Sequence, residues 1–275
     1  MDDQTAGPAE EPTPEPTQVA SSGRTAGTTV LTTRGLGWGV GGFTILEDID
    51  LEVHEGEFLS VIGPNGAGKT SLLNVIAGVN DARSGSVELL GEDVTRLRPA
   101  ARVRRGLGRT FQTSSLFPNL TVVENTRLAA QAARGGSLSL FSRPRWGDEA
   151  TQAGLEALTE VGLGNRASDP VADLSHGDKR KLEIALLLCS SPQVLLLDEP
   201  TAGVSVEEVE PLVRVIRDVH DRGRTVVMVE HRMELVVDVS DRIAVLHNGR
   251  LLTVGPPEAV MADPTVQSAY LGEAA

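Results

Sequence analysis

The sequence predicts an α/β fold with a mainly parallel core sheet, and three runs of residues carry that prediction. The first, Phe58-Leu59-Ser60-Val61-Ile62, is a strand-like apolar run. It passes through a glycine-rich turn into Ser71-Leu72-Leu73-Asn74-Val75-Ile76-Ala77-Gly78, a helix closed by glycine. The second, Val194-Leu195-Leu196-Leu197, ends in Asp198-Glu199-Pro200. The third, Thr225-Val226-Val227-Met228-Val229, ends in Glu230-His231. Continuous apolar runs suit strands covered on both faces, as parallel strands are. Ligands of such sheets gather at the carboxyl ends of the strands, so the polar residues closing each run are the candidate site.

The turn between the first strand and its helix reads Gly63-Pro64-Asn65-Gly66-Ala67-Gly68-Lys69-Thr70, followed by Ser71. Its glycines let the backbone curl so that N–H groups point at phosphate oxygens, and the helix N-terminus adds partial positive charge. Lys69 is expected to reach the β- and γ-phosphates and the Thr70 hydroxyl to ligate Mg²⁺. The chain is therefore expected to bind a nucleoside triphosphate. At the end of the second run, Asp198 would hold Mg²⁺, and Glu199 is placed to take a proton from an attacking water. His231 could contact the γ-phosphate and orient that water and Glu199; alone, a histidine there is more often an ordinary polar strand end. Ser175, with Asp178 three residues on, fits a capping box opening a helix. That is a structural reading, although a helix start with Ser175 and Gly177 is also an anion site.

Composition narrows the function further. At 275 residues with 40% apolar content, the chain suits one large α/β domain with a tail. A formal charge of −13 argues against nonspecific binding to nucleic acid or anionic lipid, so no nucleic-acid partner is expected. The single Cys189, flanked by leucines, reads as a small core residue rather than a reactive thiol. Residues 1–28 form an acidic stretch rich in Pro, Glu and Thr that cannot bury enough apolar surface to fold. No run of 18 apolar residues suggests a transmembrane helix. The densest stretch, Ile184 to Leu197, is broken by Ser190-Ser191-Pro192 into a helix end and a strand. Arg134 to Ala150 reads as a loop.

In their order along the chain these motifs resemble the ATP-binding-cassette (ABC) family of P-loop NTPases. Gly63 to Thr70 matches Walker A, and Gln112 in Arg109-Thr110-Phe111-Gln112 matches the Q-loop. Leu174-Ser175-His176-Gly177-Asp178 matches the signature motif, Leu195 to Glu199 matches Walker B, and His231 matches the switch histidine. The resemblance covers nearly everything outside the tail. It implies one cassette over residues 29–275, with an antiparallel β-subdomain and a helical subdomain (about 113–190) beside the parallel core, and a C-terminal extension over about 255–275. It implies ATP and Mg²⁺ as cofactors, Glu199, His231 and Gln112 in catalysis, and Thr70, Asp198 and Gln112 at the metal. It also implies head-to-tail pairing with a second ABC ATPase, in which Ser175 and Gly177 contact the ATP of the partner subunit.

A narrower resemblance is to the ATPases of branched-chain amino acid importers and of the similar urea and amide importers. Leu174 to Ala185, Val229 to Glu234 and Ala262 to Glu273 carry it. The last of these segments also looks like the ATPase of lipopolysaccharide export. The implied partners are transmembrane permease subunits and, through them, an extracytoplasmic substrate-binding protein; the implied location is the cytoplasmic face of the membrane. Two positions depart from the pattern. Val40 stands where many cassettes stack adenine on an aromatic, with Trp38 and Phe43 as possible substitutes, and Ser205 stands where the D-loop usually has aspartate. The expected function is the ATP-hydrolysing subunit of an importer, with a soluble, non-transport ABC ATPase as the rival from another class.

Overall fold

The structure is a computed structural model and describes residues 27–110, 116–134 and 148–271. Most of the acidic extension thus lies outside the described residues. The chain opens with two long antiparallel strands, β1 (Thr29–Val40) and β2 (Phe43–His54). Next come β3 (Phe58–Ile62) and, across the glycine turn, α1 (Lys69–Ile76). β4 (Ser84–Leu89) and the short β5 (Glu92–Asp93) return to the first hairpin, giving an antiparallel sheet ordered β2-β1-β4-β5.

The remaining strands form a second sheet. After α2 (Pro99–Val103) come β6 (Leu107–Arg109) and three helices, α3 (Val122–Ala133), α4 (Glu149–Glu160) and α5 (His176–Leu188). The chain then alternates through β7 (Val194–Asp198), α6 (Val206–Asp221), β8 (Thr225–Val229), α7 (Met233–Val239) and β9 (Arg242–His247). It closes with β10 (Arg250–Gly255), α8 (Pro257–Ala262) and α9 (Pro264–Leu271). The sheet order is β10-β9-β3-β8-β7-β6, parallel except for the β9–β10 pair.

All five residues of β3, β7 and β8 are buried, as expected of central strands. Their alternation still shows in what they pack against. Val194, Leu196, Val227 and Val229 join α1 and the antiparallel sheet in one core. Leu195, Leu197, Val226 and Met228 face the opposite way, onto Leu182 of α5 and Leu212 and Ile216 of α6. Full burial of such side chains contributes about 1.5–3 kcal/mol each relative to exposure. A third cluster, with Ile243, Val245, Val260 and Val266, seats α8 and α9 against β9.

Two helix details depart from the sequence reading. Asp178 N–H donates to Ser175 Oγ at 3.1 Å, but the Asp178 carboxylate pairs with Arg166 and Lys181 instead of reaching back. Only half the expected capping box forms there, because two nearby cations outcompete one backbone N–H. The reciprocal box occurs at Thr121 and Glu124, opening α3. The loop expected to run to Ala150 ends earlier, since Asp148 caps α4 by accepting from Thr151 N–H at 2.7 Å. Residues 135–147 lie outside the described residues. No helix among the described residues is long and apolar enough to cross a membrane.

Candidate active site

The site lies where β3, β8 and β7, adjacent in the sheet, end on the same edge. Gly63 leaves β3 at φ 151°, and a Cβ there would sit 2.0 Å from the carbonyl oxygen of Leu246. Only glycine lets the turn pass this close to β9. Gly68, at φ 103°, enters α1 with no side-chain cap of its own. Lys69 is buried, and its Nζ donates to the carbonyls of Gly63 at 2.7 Å and Pro64 at 2.8 Å. The cation is thereby held inside its own loop. At the other end of α1, the buried Arg102 donates to the carbonyls of Val75 and Ile76 and to those of Leu97 and Thr95. It satisfies terminal carbonyls and anchors the helix that presents the loop.

β7 delivers Asp198 beside this loop. Thr70 Oγ1 donates to Asp198 Oδ1 at 3.2 Å, joining two of the three expected metal ligands across 128 residues. The other oxygen, Oδ2, lies 3.5 Å from Arg109 Nη2 at the end of β6. Burial is the larger influence on both partners: it pushes the Asp198 carboxyl up and the Arg109 guanidinium down, against their mutual attraction. Thr110 binds the same strand, accepting from Asp198 N–H at 3.1 Å and donating its own N–H to Leu196 O at 3.0 Å. These bonds hold the start of the segment leading to Gln112, which itself lies outside the described residues.

Glu199 turns sharply out of β7 at φ 47°, a left-handed conformation that costs a non-glycine residue energy. Its N–H donates to Val229 O at 2.9 Å, tying the turn to the end of β8. His231 follows that strand end, and its Nε2 lies 2.5 Å from Glu199 Oε1. With Glu199 as the acceptor, this contact calls for the imidazole proton on Nε2. The proposed base and the histidine expected to orient it are therefore in direct contact.

Two sequence candidates lie apart from these groups, at the start of α5. Ser175 caps that helix, and Gly177 N–H donates to the Glu208 carboxylate of α6 at 3.3 Å. A hydrogen bond from Ser175 is the leading influence holding the Glu208 carboxyl below its ordinary range. Sequence reasoning missed Glu208, Glu230 and the role of Arg109, because their contacts join distant segments. At the candidate base site, Val40 is 56% and Phe43 79% exposed, while Trp38 packs against the core. Cys189 is partly buried, and burial pushes its thiol up to about 12, which suits the inert role expected of it.

The donor set suits a magnesium nucleotide. A hydroxyl and a carboxylate converging at 3.2 Å are hard oxygen ligands, and Mg²⁺ typically takes one or two carboxylates together with substrate phosphates.

Comparison with known proteins places the chain among nucleotide-binding cassettes. Residues 46–202 match the ABC transporter family model, and residues 250–275 match that of the branched-chain amino acid ATP-binding cassette transporter. The chain is 37% identical over 251 residues to LivG of Salmonella typhimurium, a high-affinity branched-chain amino acid transport ATP-binding protein, covering 89% of this chain and 98% of that one. It is also 37% identical over 266 residues to a probable anion import ATP-binding protein of Haloferax volcanii, covering 94% and 90%. Among solved structures, it resembles the ADP conformation of an ATP-binding cassette of an ABC transporter. The TM-score is 0.80 at 28% identity, over 89% of this chain and 99% of that one.

Proposed function

This chain belongs to the ABC transporter family, and from that premise we propose that it hydrolyses ATP to power import of branched-chain amino acids. The observation that carries the chemistry is the convergence of Lys69, the Thr70–Asp198 pair and the Glu199–His231 pair on one sheet edge. In this reading the loop amides and Lys69 bind the β- and γ-phosphates, and Ser71 lies on the same helix start. Thr70 and Asp198, with Gln112, hold Mg²⁺, which when bound offsets phosphate charge. Glu199 accepts the proton of the attacking water, while His231 fixes the carboxylate and faces the γ-phosphate.

The same reading places the chain on the cytoplasmic face of a membrane, bound to permease subunits and paired with a second ABC ATPase. Ser175 and Gly177 then approach the ATP of that partner. The C-terminal match over residues 250–275 favours branched-chain amino acids as the transported class.

Glu199→Gln keeps shape and removes the base. It is expected to lower ATP turnover by about a hundredfold or more while leaving ATP binding within about threefold. Turnover near the wild-type rate would refute the role of Glu199. Affinity purification of that variant from native membranes with Mg-ATP should recover permease subunits and a second cassette. Recovery with soluble partners only would remove the transport assignment, and a permease specific for anions would group the chain with its Haloferax relative.

A further inference from the structure

Glu230 stands between the proposed base and its histidine, and no motif role is assigned to it. It is 3% exposed, at the end of β8. Its carboxylate receives four donors from two loops. Oε1 accepts from Thr201 N–H at 3.2 Å and from the Thr201 hydroxyl; Oε2 accepts from His231 N–H at 2.8 Å and Arg232 N–H at 3.4 Å. Thr201 is itself buried and lies two residues beyond Glu199 in the same turn, where Ala202 N–H donates to Glu199 O at 3.0 Å. One oxygen thus holds the loop of the base and the other holds the loop of the histidine.

We propose that Glu230 is a positioning residue whose buried carboxylate clamps the Glu199 turn to the His231 turn and so sets their contact for hydrolysis. The proposal rests on the catalytic reading above. It follows from the arithmetic of acceptors. A carboxylate offers about four lone-pair sites on two oxygens and no donor, so it can bind N–H and O–H groups on both sides at once. Glutamine, of nearly equal volume, offers one such oxygen, and its amide would face N–H donors on the other side. Burying charge without a paired cation is costly unless hydrogen bonds replace its hydration, and these four do so. The strained φ of Glu199 has the same logic. A turn at 47° persists only where its surroundings hold it, and the clamp supplies a side-chain bond beside the Glu199–Val229 backbone bond.

The test compares Glu230→Gln, Thr201→Val and Thr201→Ser in the full-length chain within its transporter. Glu230→Gln and Thr201→Val are expected to lower kcat by roughly ten- to a hundredfold with KM for ATP within about twofold, since neither touches the phosphate loop. Thr201→Ser, which restores the hydroxyl, should recover most of the rate. In a His231→Ala background, Glu230→Gln should cost less kcat than it does in the wild type, because the Glu199–His231 contact that the clamp sets is already gone. A second readout needs no turnover: ¹⁵N spectra of the histidine-labelled chain should show His231 as the Nε2–H tautomer in the wild type and a tautomer mixture in Glu230→Gln. Unchanged kcat and an unchanged His231 spectrum in a folded Glu230→Gln protein would overturn the proposal, as would kcat and KM both worsening in step with lost thermal stability. A wild-type transporter unable to hydrolyse ATP would instead overturn the catalytic reading, leaving the histidine spectra to decide the clamp.

Discussion

The starts of α1 and α5 are both candidate anion sites, and they are finished in opposite ways. At α1 the chain enters through glycines at positive φ, no side chain caps the helix, its first turn has no acid, and Lys69 is held inside the loop by carbonyls. At α5 a serine caps the helix, Asp178 sits in the first turn, and Glu208 from α6 accepts from Gly177 N–H. The first has no side-chain cap over its start. The second carries its own carboxylate where the proposed pairing would bring a phosphate, so a partner's nucleotide must displace Glu208 to reach it. On the proposed pairing, the site complete within one chain differs from the one that needs two by whose anion sits on the helix.

The largest break in this comparison comes from adding one methyl group in the glycine turn before α1 and one at the start of α5. Gly63→Ala drives a Cβ into the carbonyl of Leu246 and forces a left-handed φ on alanine. It is expected to cost about 3 kcal/mol or more, a fall in Tm of roughly 6–12 °C, and to abolish ATP binding in calorimetry. Gly177→Ala keeps a helical φ, but its Cβ would meet Glu208 Cβ at 2.9 Å, an atom fixed to the backbone, so α6 must shift by a few tenths of an ångström. Alanine gains about 1 kcal/mol of helix propensity, which offsets part of that cost, so Tm should fall by less than for Gly63→Ala. ATP-driven pairing, measured by sedimentation in a Glu199→Gln background, should nevertheless weaken. Equal damage to folding at both positions would erase the distinction.

A smaller effect separates the caps. Ser175→Ala removes the acceptor for Asp178 N–H and should cost about 1 kcal/mol, or roughly 2–4 °C in Tm. The smallest effect is a titration. Hydrogen bonds from Ser175 and Gly177 lower the Glu208 pKa in the folded state. The contact is therefore fully present above the ordinary glutamate pKa and is lost as pH falls through the lowered value. NMR should show the Glu208 carboxyl titrating below the usual carboxylate range, with the Gly177 amide following the same midpoint. A Gly177 amide indifferent to that midpoint would remove Glu208 from the helix.

Much of the core and of the site was legible because the signals are local. The glycine turn needs only its own residues to curl, and an unbroken run such as Val194 to Leu197 reports burial on two faces wherever it stands. That Asp198, Glu199 and His231 end their strands followed from where the apolar runs stop. The reciprocal capping box was misplaced because Ser175 and Asp178 have the right spacing, yet Arg166 and Lys181 claim the carboxylate. The competing cations include one twelve residues away, beyond any local pattern.

By itself, then, the sequence determined which residues could bind phosphate, metal and proton, since those capacities belong to residue types at short, fixed spacings. Only the tertiary structure decided which of them meet. Strand order set β8 between β3 and β7 and so brought His231 to Glu199. Parallel pairing of β6 with β7 aimed Arg109 at Asp198, and burial of one carboxylate at the end of β8 joined two turns through Glu230. Hydrogen bonds act over about 3 Å whatever the separation along the chain. Contacts between residues far apart in sequence therefore become visible only once the sheet has set the distances.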